Sequence, residues 1–303
     1  MITKEKFDPP LVRLPRWFKQ EIPDINKIRP MKEFFRKGRL HTVCESAHCP
    51  NMGSCWKEGV ATFMILGGVC TRACRFCAVP VGRPDLLDLE EPHHVALAVK
   101  QLGLRYVVVT SVARDDIEDG GELLFVKTIL AIRRLTPEVK IEVLIPDFSA
   151  KEGSLKLLSE AAPEVIAHNI ECVRRLSPHV RPQARHDRSL QVLRRLGELN
   201  PHVFIKSSLM VGLGETDEEI IQVLSELREA GCQILTIGQY LAPTKLKRHW
   251  PVERFVSPED FERYRSLGMD MGFVHVESAP LVRSSYIAER GYRAAWAAVE
   301  VRT

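Results

Sequence analysis

The stretch ATFMILGGVCTRACRFC, residues 61–77, joins a short apolar run to a loop that holds three cysteines. The run 61–68 is typical of a buried β-strand, and an amphipathic segment follows the loop. Five more apolar runs come after it, each with its own amphipathic segment, at 105–111, 140–145, 164–171, 202–212 and 233–241. Buried strands that alternate with helices predict a parallel sheet with both faces covered.

Six successive strand–helix units predict an α/β protein built on a partial or complete (β/α) barrel. A doubly wound open sheet is the alternative, because periodicity does not separate the two. In both architectures functional groups gather at the carboxyl ends of the strands, so we expect the cysteine loop there. We expect this barrel to span residues 61–276, between an N-terminal extension over 1–60 and a C-terminal extension over 277–303. Thr216 and Glu219 form a capping-box pattern that marks a helix start within the barrel.

The composition indicates an ordinary globular protein, since the 303 residues are 45% hydrophobic and 27% charged. No apolar run approaches the ~20 residues that cross a bilayer, so we expect no membrane span. The first twenty residues lack the apolar core of a secretory signal, which predicts a cytoplasmic protein. Disulfides are rare in that reducing compartment, so the eight cysteines are better explained as metal ligands and small buried side chains.

The net charge of +4 is unevenly distributed along the chain. Residues 1–43 hold eleven Lys and Arg against five Asp and Glu, a local charge of +6, and the rest of the chain carries −2. This basic arm is either a solvated surface or a docking surface for an acidic protein. Nucleic acid is not expected as a partner, because no recognition motif accompanies the basic residues.

The cysteine loop offers three ligands at spacings of three and two intervening residues: Cys70, Cys74 and Cys77. Three thiolates can hold a 4Fe–4S cluster and leave one iron without a protein ligand. Zinc would need a fourth Cys or His nearby, which this loop does not offer. A second incomplete set lies upstream, at spacings of four and five residues: Cys44, Cys49 and Cys55.

The spacing of the loop cysteines, with an aromatic residue before the last, resembles the radical S-adenosylmethionine superfamily. The upstream set and six further motifs resemble the lipoyl synthase family, over roughly residues 38–286. These motifs are TSVARDDIEDGG (110–121), VLIPDF (143–148), HNIE (168–171), VGLGET (211–216), GQYLAP (238–243) and RSSY (283–286).

The resemblance implies two 4Fe–4S clusters with different tasks. The cluster on Cys70, Cys74 and Cys77 would bind and reductively cleave S-adenosylmethionine, and an auxiliary cluster would donate sulfur. The auxiliary ligands would be Cys44, Cys49 and Cys55, completed by the hydroxyl oxygen of Ser285. Without the resemblance, the pair Ser284–Ser285 would be interpreted as a helix N-cap.

The implied reaction inserts two sulfur atoms, at C6 and C8, into an octanoyl chain on a lysine of a lipoyl-carrier domain. Such a domain belongs to the E2 subunit of a 2-oxoacid dehydrogenase or to the glycine cleavage H protein. Two molecules of S-adenosylmethionine and the auxiliary cluster would be consumed. The family further implies an electron donor such as ferredoxin or flavodoxin, and we expect a monomer.

Five other residues are candidates for contact with S-adenosylmethionine. Ser111 closes the second strand, and Arg114 and Asp115 follow it; the alternative is a loop whose carboxylates cap the next helix. Asn169 and Glu171 close the fourth strand, where a carboxylate can accept hydrogen bonds from ribose hydroxyls. The alternative for these two is an ordinary hydrogen bond at a strand end.

Three other kinds of protein compete with this interpretation. Biotin synthase inserts sulfur by related chemistry but lacks the upstream set of cysteines. A tRNA methylthiotransferase adds an RNA-binding domain, for which this chain has no room. A two-cluster electron carrier would not need six strand–helix units or two open cluster corners.

Overall fold

The sheet of the barrel is described by a computed structural model that covers residues 14–19, 25–47, 49, 51–57 and 60–300. Within these ranges one sheet has eight strands in chain order. They are β1 (His41–Thr42), β2 (Val60–Ile65), β3 (Tyr106–Ser111), β4 (Lys140–Leu144), β5 (Val165–Ala167), β6 (Phe204–Val211), β7 (Ile234–Gln239) and β8 (His275–Ala279). β1 is antiparallel to β2, and all later neighbours are parallel.

The helices of the same ranges cover the outer face of the sheet and its ends. They are α1 (Ile25–Lys37), α2 (Val43–Ser46), α3 (Met52–Lys57), α4 (Glu91–Gln101), α5 (Glu122–Leu135), α6 (Glu152–Glu160), α7 (Ser177–Val180), α8 (His186–Leu199), α9 (Asp217–Glu229), α10 (Pro258–Asp270) and α11 (Glu289–Glu300). None of them is long and apolar enough to cross a bilayer.

The barrel is partial, which decides between the architectures predicted from the sequence. Among the described residues, the sheet begins at β1 and ends at β8 without pairing back on itself. The six predicted strands are β2 to β7, and β8 is a seventh parallel strand at the predicted C-terminal border of the core. Three of its five residues, HVESA, are polar, so the continuous apolar run that marked the others is absent.

The two faces of the sheet have different side chains. Alternate residues such as Val107 and Val109 pack outward against the helices. On the inner face, Lys206 Nζ lies 2.7 Å from Glu142, which also accepts a 2.7 Å hydrogen bond from the Tyr106 hydroxyl.

The amino end of the barrel is closed by α11. Its Tyr292 packs with inner-face residues from the amino ends of four strands: Tyr106, Val165, Phe204 and Ile234. This aromatic and aliphatic plug leaves the carboxyl end as the side from which a ligand can enter.

Candidate functional site

The cysteine loop lies at the carboxyl ends of β2 and β3, as the sequence predicted. The Cys70 N–H donates to the Pro80 carbonyl (2.8 Å) and the Cys77 N–H donates to the Cys74 carbonyl (3.2 Å), so the loop folds back on itself. The Ala113 N–H, beyond the end of β3, donates to Cys70 Sγ (3.3 Å). The three thiols are therefore carried by a loop with a defined backbone.

A charged cluster anchors this loop to the next two strand ends. Arg72 donates to both oxygens of Asp115 (2.8 and 2.7 Å) and to Asp147 (2.8 Å). The Thr71 hydroxyl donates to Asp115 (3.1 Å). The hydrogen bond from Arg72 lowers the pKa of Asp115 below its usual range, so the carboxylate stays charged. Asp115 thus shapes the loop through Arg72.

The loop thiols lie close enough to influence each other. Burial, and then the neighbouring Cys77, Glu171 and Cys70, raise the pKa of Cys74 to about 12. Burial raises the pKa of Cys77 to about 11, again with a contribution from Cys70. Buried thiolates that repel one another need a compensating cation, and soft sulfur donors suit iron. The residues therefore fit an iron–sulfur group.

The upstream cysteines form a second compact set beside β2. The Cys49 N–H donates to the Cys44 carbonyl (3.0 Å), and the Cys55 N–H donates to the Asn51 carbonyl (2.9 Å). Burial and the neighbouring Cys49 thiol raise the pKa of Cys44 to about 12, with a smaller effect from Cys55. These buried thiols, which also influence one another, therefore fit an iron–sulfur group for the same reasons as the loop cysteines.

The segment RSSY, residues 283–286, lies against this second set. Asn51 Nδ2 donates to the Leu281 carbonyl (2.5 Å). Burial raises the pKa of Cys49, and the nearby Arg283 charge opposes that rise. Burial raises the pKa of Tyr286, with a contribution from Cys55. The two serines therefore lie between residues that approach the cysteines from either side.

The N-cap alternative for the serine pair is wrong. α11 begins at Glu289, so the residue directly before its first turn is Ala288 and not Ser284 or Ser285. The helix-cap alternative for the loop after β3 holds for Asp119 alone, whose Oδ1 accepts from the N–H of Gly121, the N-cap residue of α5 (3.2 Å). Asp115 and Asp116 are paired with Arg72 and Arg114 instead.

In the part of the chain that the structure describes, no three His, Cys, Asp or Glu side chains are arranged to hold a single metal ion.

Two candidate contacts with S-adenosylmethionine have unsatisfied polar atoms. Ser111 Oγ and Asn169 Oδ1 are buried and lack a hydrogen-bond partner among the described residues. Such atoms are rare in folded proteins unless a ligand or water satisfies them. Arg114 differs, because it is paired with Asp116 (2.8 Å) and donates to the Leu66 carbonyl.

Glu171 is the most unusual residue of the site. Its φ of +65° is in the left-handed region, which a glutamate seldom adopts. Hydrogen bonds of its backbone with Ser208 and Met210 (2.9 Å each) hold it there, and its side chain accepts from Asn169 Nδ2 (3.1 Å). Burial raises its pKa. Backbone strain beside the cysteine loop is typical of a functional residue.

Arg181 lies beside the loop thiols, and the sequence did not indicate this position. It is 5% exposed and donates to the carbonyls of Ile170 (2.7 Å) and Asn169 (3.3 Å). Its charge opposes the effect of burial on the pKa of Cys74. It lies in a helix–loop junction without a recognisable motif, so only the tertiary structure brings it to the thiols.

The chain is similar to known proteins in sequence and in fold. The sequence profile of the Radical SAM superfamily matches residues 64–227. A lipoyl synthase of Rubrobacter xylanophilus is 56% identical over 274 residues, which make up 90% of this chain and 85% of the relative. This chain belongs to the lipoyl synthase family. Other members of the lipoyl synthase family include that of Flavobacterium psychrophilum, 50% identical over 91% of this chain and 94% of the relative. The mitochondrial lipoyl synthase of Nematostella vectensis is 47% identical over 95% of this chain and 98% of the relative.

Solved structures support the fold of this lipoyl synthase family member. HydG, a maturase of the [FeFe]-hydrogenase, has a TM-score of 0.56 at 16% identity and covers 83% of this chain and 56% of HydG. SuiB of Streptococcus suis, bound to S-adenosylmethionine, has a TM-score of 0.53 at 12% identity. The match covers 81% of this chain and 58% of SuiB. At such identities the likeness concerns the fold alone, and it confirms the predicted α/β barrel class.

Proposed function

We propose that this chain is a lipoyl synthase: it inserts two sulfur atoms, at C6 and C8, into the octanoyl-lysine of a lipoyl-carrier domain. One observation carries the proposal. Two separate sets of three cysteines are present, one on the loop after β2 and one against the RSSY segment, in a member of this family. The carrier would be a domain of a 2-oxoacid dehydrogenase E2 subunit or the H protein.

The residues that would hold the cofactors follow from this arrangement. Cys70, Cys74 and Cys77 would hold one 4Fe–4S cluster, and the second would be held by Cys44, Cys49 and Cys55 together with Ser285. When bound, the first supplies an electron that cleaves S-adenosylmethionine to a carbon radical, and the second supplies sulfur. Acid–base catalysis could not replace this chemistry, because the methylene and methyl C–H bonds of an octanoyl chain are not acidic.

The protein itself would position and shield the reactants. Ser111 and Asn169 offer buried acceptors to the amino and hydroxyl groups of S-adenosylmethionine. Glu171, between Asn169 and the loop thiols, would orient the same molecule. The plug around Tyr292 closes the far end of the barrel, so a carbon radical formed at the carboxyl end is shielded from solvent on that side.

Anaerobic reconstitution followed by metal and product analysis tests the proposal. We expect about eight irons per chain, four for each cluster. With S-adenosylmethionine, dithionite and an octanoyl-lysyl peptide, mass spectrometry should detect 5′-deoxyadenosine and a peptide that has gained two sulfur atoms. Zinc in place of iron, or about four irons, would contradict the two-cluster account. 5′-Deoxyadenosine without a thiolated product would indicate a different radical enzyme.

A further inference from the structure

A basic segment lies directly on the cysteine loop. Residues 244–250, TKLKRHW, are here called the basic loop. His249 Nε2 forms a 3.2 Å hydrogen bond with the Cys77 carbonyl, and the backbone N–H of Trp250 donates to the Arg75 carbonyl (2.9 Å). The Arg75 guanidinium lies 4.7 Å from the Trp250 ring centre. The basic loop is thus attached to the loop that carries the radical-cluster thiols.

The surface of the basic loop is suited to an acidic protein. Lys245, Lys247 and Arg248 are exposed, and Leu246 between them is 60% exposed. The stretch 242–252 contains no Asp or Glu. An apolar side chain surrounded by positive charge favours a partner whose surface is negative around a small apolar patch.

We propose that the basic loop is the docking site for the acidic one-electron carrier protein that reduces this enzyme. The proposal rests on the proposed function, because only reductive cleavage of S-adenosylmethionine requires an electron. The donor's reduced centre would lose one electron, and S-adenosylmethionine would gain it as its carbon–sulfur bond breaks to give methionine and a carbon radical. Two such events would be needed for each product.

The position of the basic loop favours the electron donor over the lipoyl carrier. Electron transfer weakens steeply with distance, so a donor must approach the loop that holds the radical cluster. The basic loop contacts that loop at the backbone of a proposed ligand, Cys77. A lipoyl carrier can deliver its substrate from farther away, because the octanoyl-lysine arm is long and flexible.

Charge reversal of two lysines tests the proposal against a matched control. The test variant is Lys245→Glu with Lys247→Glu. The control variant, Lys100→Glu with Lys127→Glu, makes the same change of charge on the exposed faces of α4 and α5. Each reconstituted protein is assayed for 5′-deoxyadenosine with dithionite or reduced flavodoxin, and with octanoyl-lysyl peptide or whole octanoylated carrier.

We expect the test variant to need about tenfold more flavodoxin for half-maximal rate, with either substrate, because steering charge is lost. With dithionite, the test variant should form 5′-deoxyadenosine at the rate of the unmodified protein. The control variant should match the unmodified protein with both reductants. Flavodoxin binding, followed by fluorescence titration without turnover, should weaken to the same extent. In the unmodified protein this binding should also weaken as salt is added.

Three results would overturn the proposal. One is unchanged flavodoxin binding in the test variant, a readout that stands even if no turnover occurs. Another is an equal loss with dithionite, which would indicate a structural role of the segment. The last is a loss confined to whole carrier, which would make the basic loop the carrier-docking face. Failure of dithionite to support 5′-deoxyadenosine formation in the unmodified protein would instead contradict the proposed function.

Discussion

We propose Ser285 as the residue on which the sulfur-donating role of the second site would depend. An alkoxide is a harder ligand than a thiolate and binds iron less covalently, so an oxygen-bound corner should open first. The contacts of Asn51 with Leu281 and the proximity of Arg283 to Cys49 bring this serine's segment to the cysteines. A ligand that releases iron readily suits a cluster that is dismantled during the reaction.

Replacement of Ser285 by cysteine should therefore separate cluster binding from sulfur transfer. We expect Ser285→Cys to retain its full iron content and to lose sulfur insertion severalfold, because the fourth thiolate holds iron more tightly. Iron analysis and mass spectrometry of the peptide product measure the two effects. Ser284→Ala is the control and should change neither. Equal loss in both variants would show that the segment matters only for folding.

Asn169 allows a test of the S-adenosylmethionine site. Its Oδ1 is buried without a partner among the described residues, so a ligand donor should satisfy it. We expect Asn169→Ala to raise the KM for S-adenosylmethionine about fivefold, since one hydrogen bond contributes ~1 kcal/mol. Formation of 5′-deoxyadenosine against S-adenosylmethionine concentration gives this value. Asn200→Ala, in a turn before β6, should leave it unchanged; an unaltered KM in both would remove Asn169 from the site.

At the scale of elements, the connection from β2 to α4 is fixed by a buried carboxyl group. The Leu66 N–H, just after β2, donates to Glu91 Oε2 (2.7 Å) at the start of α4. Burial raises the pKa of Glu91 to about 7. The folded protein therefore holds a proton between about pH 4.5 and 7 that the unfolded chain releases. Its contribution to stability is complete below that range and is lost as the pH rises through 7.

This linkage predicts a pH-dependent thermal midpoint. We expect Glu91→Gln, which cannot ionise, to reduce the decrease in midpoint between pH 6 and pH 8 by a few degrees. Differential scanning calorimetry at both pH values measures the change. Glu90→Gln, an exposed neighbour, serves as the control. A pH dependence that persists in full in Glu91→Gln would show that another group is responsible.

Elements with a strong local signal could be predicted from the sequence, and others could not. The capping box at α9 is confirmed, because Thr216 accepts from the Glu219 N–H (3.3 Å) and Glu219 accepts in return. β8 was not predicted as a strand of the barrel, because three of its five residues are polar and only Val276 is fully buried. The cysteine spacing defined both thiol sets, whereas Arg181 reaches Cys74 only through the tertiary fold.

At the scale of the molecule, the extensions join the two edges of the open sheet. β1 and β8 are the two edge strands. Asn51, which follows β1 in the chain, donates a hydrogen bond to the carbonyl of Leu281, which follows β8, and so connects the two edges. α1 lies on the same side as the second cysteine set, since Phe35 packs against Trp56 of α3 and Phe63 of β2. The part of the basic arm in α1 and the proposed sulfur source are thus neighbours.

The role of the arm in docking an acidic carrier stays a prediction, which charge reversal on α1 can test. Three basic residues of the arm, Lys27, Arg29 and Lys32, fall within α1, and the side chain of Lys27 lies outside the described residues. Arg29→Glu with Lys32→Glu should raise the KM for whole carrier about tenfold and leave that for the octanoyl-lysyl peptide unchanged, because only the carrier has an acidic surface. Steady-state product analysis gives both values, and an equal change in both would refute the role.

The central claim is that the two cysteine sets perform different steps of one reaction. The most direct test compares Cys55→Ala and Cys77→Ala with Cys232→Ala, a control at a buried thiol outside both sets. In each reconstituted variant, 5′-deoxyadenosine and thiolated peptide are measured in the same reaction. We predict that Cys55→Ala forms 5′-deoxyadenosine without sulfur insertion, that Cys77→Ala forms neither, and that Cys232→Ala forms both. Sulfur insertion by Cys55→Ala, or the loss of both products in that variant while its Cys70–Cys77 loop still binds four irons, would contradict the account.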